Sequence, residues 1–447
     1  MATMAQQYPT KRIDCWGQMK DIRRRHFRHT WEAREQGEVV ILGVFEWFLC
    51  LFSGLGDFAN PSYGPYYTVL MRNPDQLIKT LEYTESLGFT KDVCSSMRCH
   101  LGQLYSGLTT KSPLGGTQVP DIIFQPSICH SVVKTGQLAS EHLGIPYFDL
   151  EFPFKDSPQT RRYLMAQMEE AIEWMEKTTG RKYDDAMFLD GLACEWECMV
   201  LWARICELNR AVPAPLDMRM MWSLRLPIVT SRHRREAVEF YRTLYDEVKD
   251  RVKEGISANG WETARLTYEG GPPFYAVNIF REPEPFGAVF VGGETAFVTM
   301  AAWDVNEKDG SWTPVQTPAE RGVEIKTRQQ GLESLAELYL KYYPMLRWLG
   351  LQSKPLEHVR RAQDWGAKGV VFHLDRGCRA LGAGIEEAKM AVQQAGYPTA
   401  MYEASMCDPR DLDRERVSDM LESFFESLGL SKIDRHDGNG KERDDVE

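Results

Sequence analysis

Three cysteines in this chain each stand where a helix is about to begin. In Asp92-Val-Cys-Ser-Ser-Met-Arg-Cys-His-Leu-Gly102, Cys94 opens a helical stretch after a Gly88-Phe89 segment that reads as the end of a strand. Asp121-Ile-Ile-Phe-Gln-Pro-Ser-Ile-Cys129 is an apolar run that stops at a cysteine, again with a helical stretch behind it. Gly369-Val-Val-Phe-His-Leu-Asp-Arg-Gly-Cys378 repeats the design near the C-terminal end. A helix N-terminus carries unpaired backbone N–H groups and partial positive charge. Such a position lowers a thiol pKa and suits thiolate chemistry or metal ligation. The expectation is that Cys94, Cys129 and Cys378 converge on one iron–sulfur cluster, leaving one iron open to a further ligand. The bland alternative is that each is a small buried hydrophobe, the commoner state of a free cysteine. The spacing does not decide between them, because it matches no compact ferredoxin run.

The segments around these cysteines alternate between strand and helix. Val39 to Phe45 is β-branched and apolar, with Glu46 at its C-terminal end. Asp121 to Phe124 and Ile145 to Pro153 read as further strands, with helices between them. Arg265 to Pro273, Phe286 to Glu294, Gly369 to His373 and Thr399 to Glu403 restart the pattern, and Cys378 to Gln394 reads as a single helix. Alternation of this kind implies parallel sheets covered by helices. Residues 158–260 differ, with apolar residues at helical spacing throughout. The predicted fold class is α/β, with two Rossmann- or flavodoxin-like parallel-sheet lobes flanking a helical segment. The expected division is a helical arm over residues 1–37, a first α/β domain over 38–157, the helical segment over 158–260, a second α/β domain over 261–430 and a disordered tail over 431–447.

Composition removes several function classes. A net charge of −11 argues against nucleic acid as the main partner. The basic run Arg23 to His29 is the exception, and it reads as a solvated helix face or a subunit contact. The most apolar stretch, Val39 to Leu55, is interrupted by Gly43, Glu46, Ser53 and Gly54, so no membrane span is expected. Met1 to Asp14 is polar and reads as no signal peptide, which makes a cytoplasmic chain with reduced thiols the expectation. Ten cysteines in 447 residues do not make a disulfide scaffold.

Other motifs compete less well. Cys194 and Cys198 share a helix face, an arrangement that can bind metal, but no second pair completes a four-ligand set, and helix packing is the simpler reading. The glycine-rich turns Glu269-Gly-Gly-Pro-Pro and Val291-Gly-Gly-Glu match no nucleotide fingerprint. The chain does not read as an ATPase by itself.

Five pieces taken together resemble a known family. They are Asp92-Val-Cys-Ser-Ser-Met-Arg98, Pro120 to Cys129, Ile145 to Pro153, Gly369 to Arg379, and Cys407-Asp-Pro-Arg410, spread over about residues 38–430. In this order they resemble the 2-hydroxyacyl-CoA dehydratases and ATP-dependent benzoyl-CoA reductases. The length, Gly43-Val-Phe-Glu-Trp47 and the aromatic loop Phe58 to Tyr67 look most like the larger, cluster-bearing subunit (B/O-type) of a class I benzoyl-CoA reductase. The resemblance implies a [4Fe–4S] cluster between two α/β lobes, held by Cys94, Cys129 and Cys378. It implies an anaerobic enzyme that dearomatises benzoyl-CoA to a cyclohexadiene-carbonyl-CoA. The alternative is a subunit of a radical 2-hydroxyacyl-CoA dehydratase. Implied partners are a homologous smaller cluster-bearing subunit, ATPase subunits that bind the ATP and activate the electron, and ferredoxin upstream. The expected substrate is benzoyl-CoA or a related aromatic acyl-CoA. Glu46 and His130 are the candidate catalytic groups. Arg98, Trp47 and Tyr66 are candidate substrate contacts, the aromatic residues as walls for a flat ring.

Overall fold

A computed structural model of the chain describes residues 7–43, 47–61, 71, 73–107, 119–345 and 353–433. Its N-terminal part runs α1 (Trp16–Glu32), β1 (Val39–Leu42), α2 (Leu49–Ser53), β2 (Phe58–Ala59), α3 (Pro74–Ser86), α4 (Ser95–Ser106), β3 (Ile122–Pro126), α5 (His130–Leu143) and β4 (Tyr147–Leu150). Five helices follow: α6 (Pro158–Thr179), α7 (Asp185–Leu208), α8 (Met218–Leu224), α9 (Leu226–Ser231) and α10 (Arg235–Glu254). The C-terminal part begins with β5 (Ala264–Glu269), β6 (Ala288–Gly293), α11 (Glu294–Phe297), β7 (Trp303–Val305), β8 (Trp312–Pro314), α12 (Arg328–Lys341) and α13 (Lys354–Asp364). It closes with β9 (Gly369–Leu374), α14 (Arg379–Gly382), α15 (Ile385–Gln394), β10 (Thr399–Glu403) and α16 (Arg414–Ser427).

Two parallel four-stranded sheets result, and they share one topology. The first is ordered β2-β1-β3-β4 and the second β10-β9-β5-β6. Counted in chain order within each sheet, the first reads 2-1-3-4, and the second reads 4-3-1-2, which is 2-1-3-4 taken from its other edge. Every ladder in them is parallel. In such a sheet the order reverses between the first and third strands, and ligands bind beyond the C-terminal strand ends at that point. The third strands here are β3 and β9. Cys129 and Cys378 follow them, at corresponding places in the two sheets. A short antiparallel hairpin, β7 with β8, stands apart.

Near-continuous apolar runs explain the strands. All residues of β1, β3, β5 and β6 are buried, as parallel strands covered on both faces require. The middle helix α7 is buried over most of its length, so it serves as a central pillar. Gly191 in its first turns lets α2 cross closely: a Cβ there would stand 2.7 Å from the Ser53 hydroxyl and 3.4 Å from the Cys50 Cα.

Some expectations are corrected. No strand precedes Cys94. Helix α3 ends at Ser86 with Leu87 as its cap, and Gly88 turns the chain with φ +98° into a loop that leads to α4. The stretch from Cys378 to Gln394 is two helices, because Gly384 at φ +71° breaks it. The 431–447 tail lies outside the described residues from position 434 onward.

The start of α2 is held by a buried polar knot. Phe48 takes a left-handed backbone, φ +60°, which is costly for a side chain of its size. Its N–H donates to the Tyr339 hydroxyl at 3.0 Å, and its ring stacks on Tyr339 at 4.4 Å. Tyr339 donates in turn to Glu195 at 2.5 Å and accepts from Arg232 at 2.6 Å. Glu195 also accepts the Cys50 N–H at 2.9 Å. Tyr339→Phe removes one donor and one acceptor from this knot and leaves the Phe48 N–H unpaired. It is expected to cost about 1–3 kcal/mol, read as a lower denaturant midpoint of the full chain with an unchanged m-value.

Candidate functional site

Each of the three cysteines is the cap residue of a helix. Cys94 precedes α4, Cys129 precedes α5 and Cys378 precedes α14. The Leu381 N–H donates to the Cys378 sulfur at 3.5 Å. The amides of Met97, and of Val132 and Ser131, pull the thiols of Cys94 and Cys129 in the same direction without closing a full cap hydrogen bond. One local geometry thus occurs three times.

The sulfurs also sense one another. Burial pushes the Cys378 thiol well up, and the nearby Cys94, Asp375 and Cys129 raise it further. Cys94 is pushed up to about 12, first by burial, with Asp375, Cys407 and Cys129 adding to it. Cys129 is raised by burial as well. The sequence expectation of lowered pKa values is therefore corrected: desolvation outweighs the helix amides. Without a cation these thiols stay protonated, and a bound metal would deprotonate them. The backbones of two of the three segments are in direct contact. A Cβ on Gly377 would stand 3.3 Å from the Cys94 Cα and 3.4 Å from the Val93 carbonyl. The three thiols are not among the groups whose ligand atoms all lie within 4.8 Å of one another. Sulfurs around a single zinc ion, at about 2.3 Å each, would be that close. Three cysteines at helix starts offer the soft donor chemistry that an iron–sulfur cluster takes.

A four-charge clasp closes the junction between the sheets. Arg98 on α4 is fully buried and donates to Glu85 at 2.7 Å, to Asp408 at 3.1 Å and to the Val93 carbonyl at 3.2 Å. Arg410 donates to Glu85 at 2.5 Å and to Asp408 at 2.7 Å. Glu85 and Arg98 belong to the N-terminal half, Asp408 and Arg410 to the C-terminal half. Beside the clasp, the Cys407 N–H donates to the Ser95 hydroxyl at 3.1 Å, and the Cys407 sulfur lies 3.1 Å from the Ser96 hydroxyl. The reading of Arg98 as a substrate contact gives way to a structural one, because protein acceptors engage its guanidinium and no surface of it is exposed.

Asp375 ties the Cys378 turn. Its two carboxylate oxygens accept from Gly377 N and Met406 N, each at 2.8 Å. Sequence reasoning passed over it, although Asp-x-Gly is an Asx-turn signal. His373 is buried on β9, with its ring nitrogens facing the Gly271 and Ala404 carbonyls.

The remaining candidates fall in different places. His130, the residue after Cys129, is exposed. Trp47 is buried, with the rings of Phe152, Tyr339 and Tyr343 at 5.8, 6.1 and 5.4 Å. Protein thus covers Trp47 where a substrate wall was expected. Glu46 and Tyr66 lie outside the described residues. Cys194 and Cys198 are buried in α7, and among the described residues no metal-ligating group forms around them.

A separate buried group lies at the C-terminal ends of β5 and β6. His358 Nε2 is 3.5 Å from Glu269 and 3.8 Å from Glu294. Arg361 donates to Glu269 at 2.6 Å. Burial raises Glu294, but Lys354, His358 and Arg361 more than reverse this and hold it below the usual carboxylate range. Oε1 of each carboxylate accepts no hydrogen bond. Even so, Arg361 and Lys354 already set two positive charges against the two carboxylates. A divalent ion would add uncompensated charge to the core, so the group reads as a closed ion network.

The sequence pattern of the family described as 2-hydroxyglutaryl-CoA dehydratase, D-component, matches residues 69–428. The chain belongs to this family. It is 22% identical over 360 residues to the (R)-phenyllactyl-CoA dehydratase alpha subunit of Clostridium sporogenes, covering 78% of this chain and 80% of the relative. It is 23% identical over 361 residues to the (R)-2-hydroxyisocaproyl-CoA dehydratase alpha subunit of Clostridioides difficile, covering 78% and 81%. It is 25% identical over 363 residues to a benzoyl-CoA reductase subunit of Thauera aromatica, covering 77% and 78%. These relatives are enzyme subunits that act with partner chains. Among the described residues, no helix of this family member is long and apolar enough to cross a membrane.

The clasp yields a pH dependence. Hydrogen bonds from Arg410 hold Glu85 below its usual value; for Asp408, burial raises the carboxyl, but hydrogen bonds from Arg410 and Arg98 more than reverse it. Both folded pKa values lie below the unfolded ones, so this stabilisation is full above about pH 4 and is lost as pH falls through the folded values. Asp408→Asn is expected to cost about 3–5 kcal/mol at pH 7, because it leaves Glu85 alone to balance both Arg98 and Arg410, one positive charge too many in a buried set. Denaturation of both proteins from pH 7 to pH 3 checks this: the gap to wild type narrows at the acid end.

Proposed function

We propose that this chain is the iron–sulfur subunit of an ATP-dependent benzoyl-CoA reductase. What supports the reading is that three helix-capping thiols, two of them following the third strands of two sheets of like topology, influence one another electrostatically. Cys94, Cys129 and Cys378 would hold a [4Fe–4S] cluster, which supplies low-potential electrons when bound. The net reaction adds two electrons and two protons to the ring of benzoyl-CoA, giving a cyclohexadiene-carbonyl-CoA.

The chain's own residues would do the rest. The amides of Met97, Val132 and Leu381 face sulfur and favour thiolate over thiol. The carboxylate of Asp375, close enough to raise the Cys94 and Cys378 thiols, would oppose added negative charge and so favour a low potential. Burial of Cys94 and Cys378 keeps water from a strong reductant. His130, exposed beside Cys129, is assigned to bringing a proton toward the ring, and Glu46 shares that assignment on sequence grounds alone. ATP hydrolysis belongs to partner subunits, with ferredoxin upstream and a smaller homologous subunit alongside.

A second reading has a specific observation behind it. Several relatives are named as dehydratase alpha subunits. On that reading the chain serves a radical 2-hydroxyacyl-CoA dehydratase, with the same three thiols.

Two measurements test these readings. Iron and acid-labile sulfide are expected in the anaerobically purified protein. Cys129→Ser and Cys378→Ser should lose most of the iron, and Cys194→Ser should keep it. Iron unaffected by the first two changes removes the cluster. Anaerobic assays of the complex with ATP should then show turnover of benzoyl-CoA, and turnover of 2-hydroxyacyl thioesters alone replaces the reductase with the dehydratase.

A further inference from the structure

Helix α14, which Cys378 caps, is a single turn of four residues, Arg379–Gly382, and none of the four is buried. A turn this short does not hold itself, because nucleation costs more than its one or two hydrogen bonds return. Its last carbonyls have no partner within the helix. Something outside must fix it if the Cys378 sulfur is to keep a defined place.

Lys354 is placed to do this. Its ammonium donates to the Leu381 carbonyl at 2.5 Å and to the Ala383 carbonyl at 2.9 Å. The side chain is fully buried. It is also the first residue of α13, where the helix dipole disfavours a cation. A buried lysine at a helix N-terminus is doubly expensive, and Glu294 directly after β6 offsets its charge. Glu294 is itself fixed by the Gly270 N–H at 2.8 Å. Lys354 is therefore the link between the closed ion network and the Cys378 turn. Asp375 holds the turn from its other end through Gly377.

We propose that Lys354 is a positioning residue for the metal site: it caps the carbonyl end of the Cys378 turn and so sets where that thiol stands relative to Cys94 and Cys129. The connection to a metal rests on the cluster reading above, whereas the capping of α14 does not.

Hydrogen exchange on the full chain, purified without oxygen, tests the capping directly. In the wild type the Gly382 amide, which donates to the Cys378 carbonyl at 2.9 Å, should be protected. Exchange at the rate of an unstructured amide overturns the proposal without any variant. Lys354→Met alone strands Glu294, so the paired variant Lys354→Met/Glu294→Gln removes both charges together. It should raise exchange across residues 379–383 by at least roughly tenfold, the equivalent of about 1.4 kcal/mol, and leave the first turns of α4 and α5 unchanged. Unaltered exchange at 379–383 in a folded paired variant refutes the capping role. In the same samples, loss of iron to a chelator should be about tenfold faster in the variant. A wild type without iron removes the cluster reading and leaves the exchange comparison intact.

Discussion

Arg98 ties the two halves of the chain together. A guanidinium with no exposed surface is tolerated only where opposite charge surrounds it closely. Glu85 supplies half of that charge from the N-terminal half of the chain, and Asp408 supplies the rest from the C-terminal half. Arg410 then balances both acids. Neither half of the chain can satisfy this set alone. The clasp also lies one helical turn beyond Cys94, so the pairing that joins the halves fixes the first thiol in the same act.

The thiols show a contest between two fields. The helix starts pull their pKa values down, while desolvation and mutual repulsion push them up more strongly. A site that favours thiol in isolation favours thiolate once positive charge enters. A junction of this kind is stable when empty of charge, and any metal it took would have to displace protons. The ion network around Glu269 and Glu294 shows the reverse case. Its charges are already matched from within, so it has no such demand.

The fold was largely legible in the sequence where the signal was local. The apolar runs leading to Cys129 and Cys378 announced strands, and the alternation around them announced parallel sheets. The shared 2-1-3-4 order was not legible, because strand pairing depends on partners far away in the chain. Cys94 was placed at a helix start for the wrong reason: the glycine before it ends a helix, not a strand. The break at Gly384 was passed over even though two glycines stand close together there. Arg98 with Asp408, and Lys354 with Leu381, could not be read at all, because such ties exist only after folding. Trp47 reads as a wall for a ligand, because the sequence cannot say that Phe152 and Tyr343 already pack against it.

The wide spacing of the three thiols along the chain has a consequence for biogenesis. About 250 residues separate Cys129 from Cys378. At synthesis rates of about 5–20 residues per second, the nascent chain spends on the order of 10–50 s with two of the thiols made and the third not yet assembled. Helix α4 and the start of α5 can form in that interval, but the contacts between the two halves cannot. Until Asp408 and Arg410 arrive to meet Arg98, Cys94 and Cys129 remain an open pair. The junction is thereby completed only once the C-terminal half of the chain has been made.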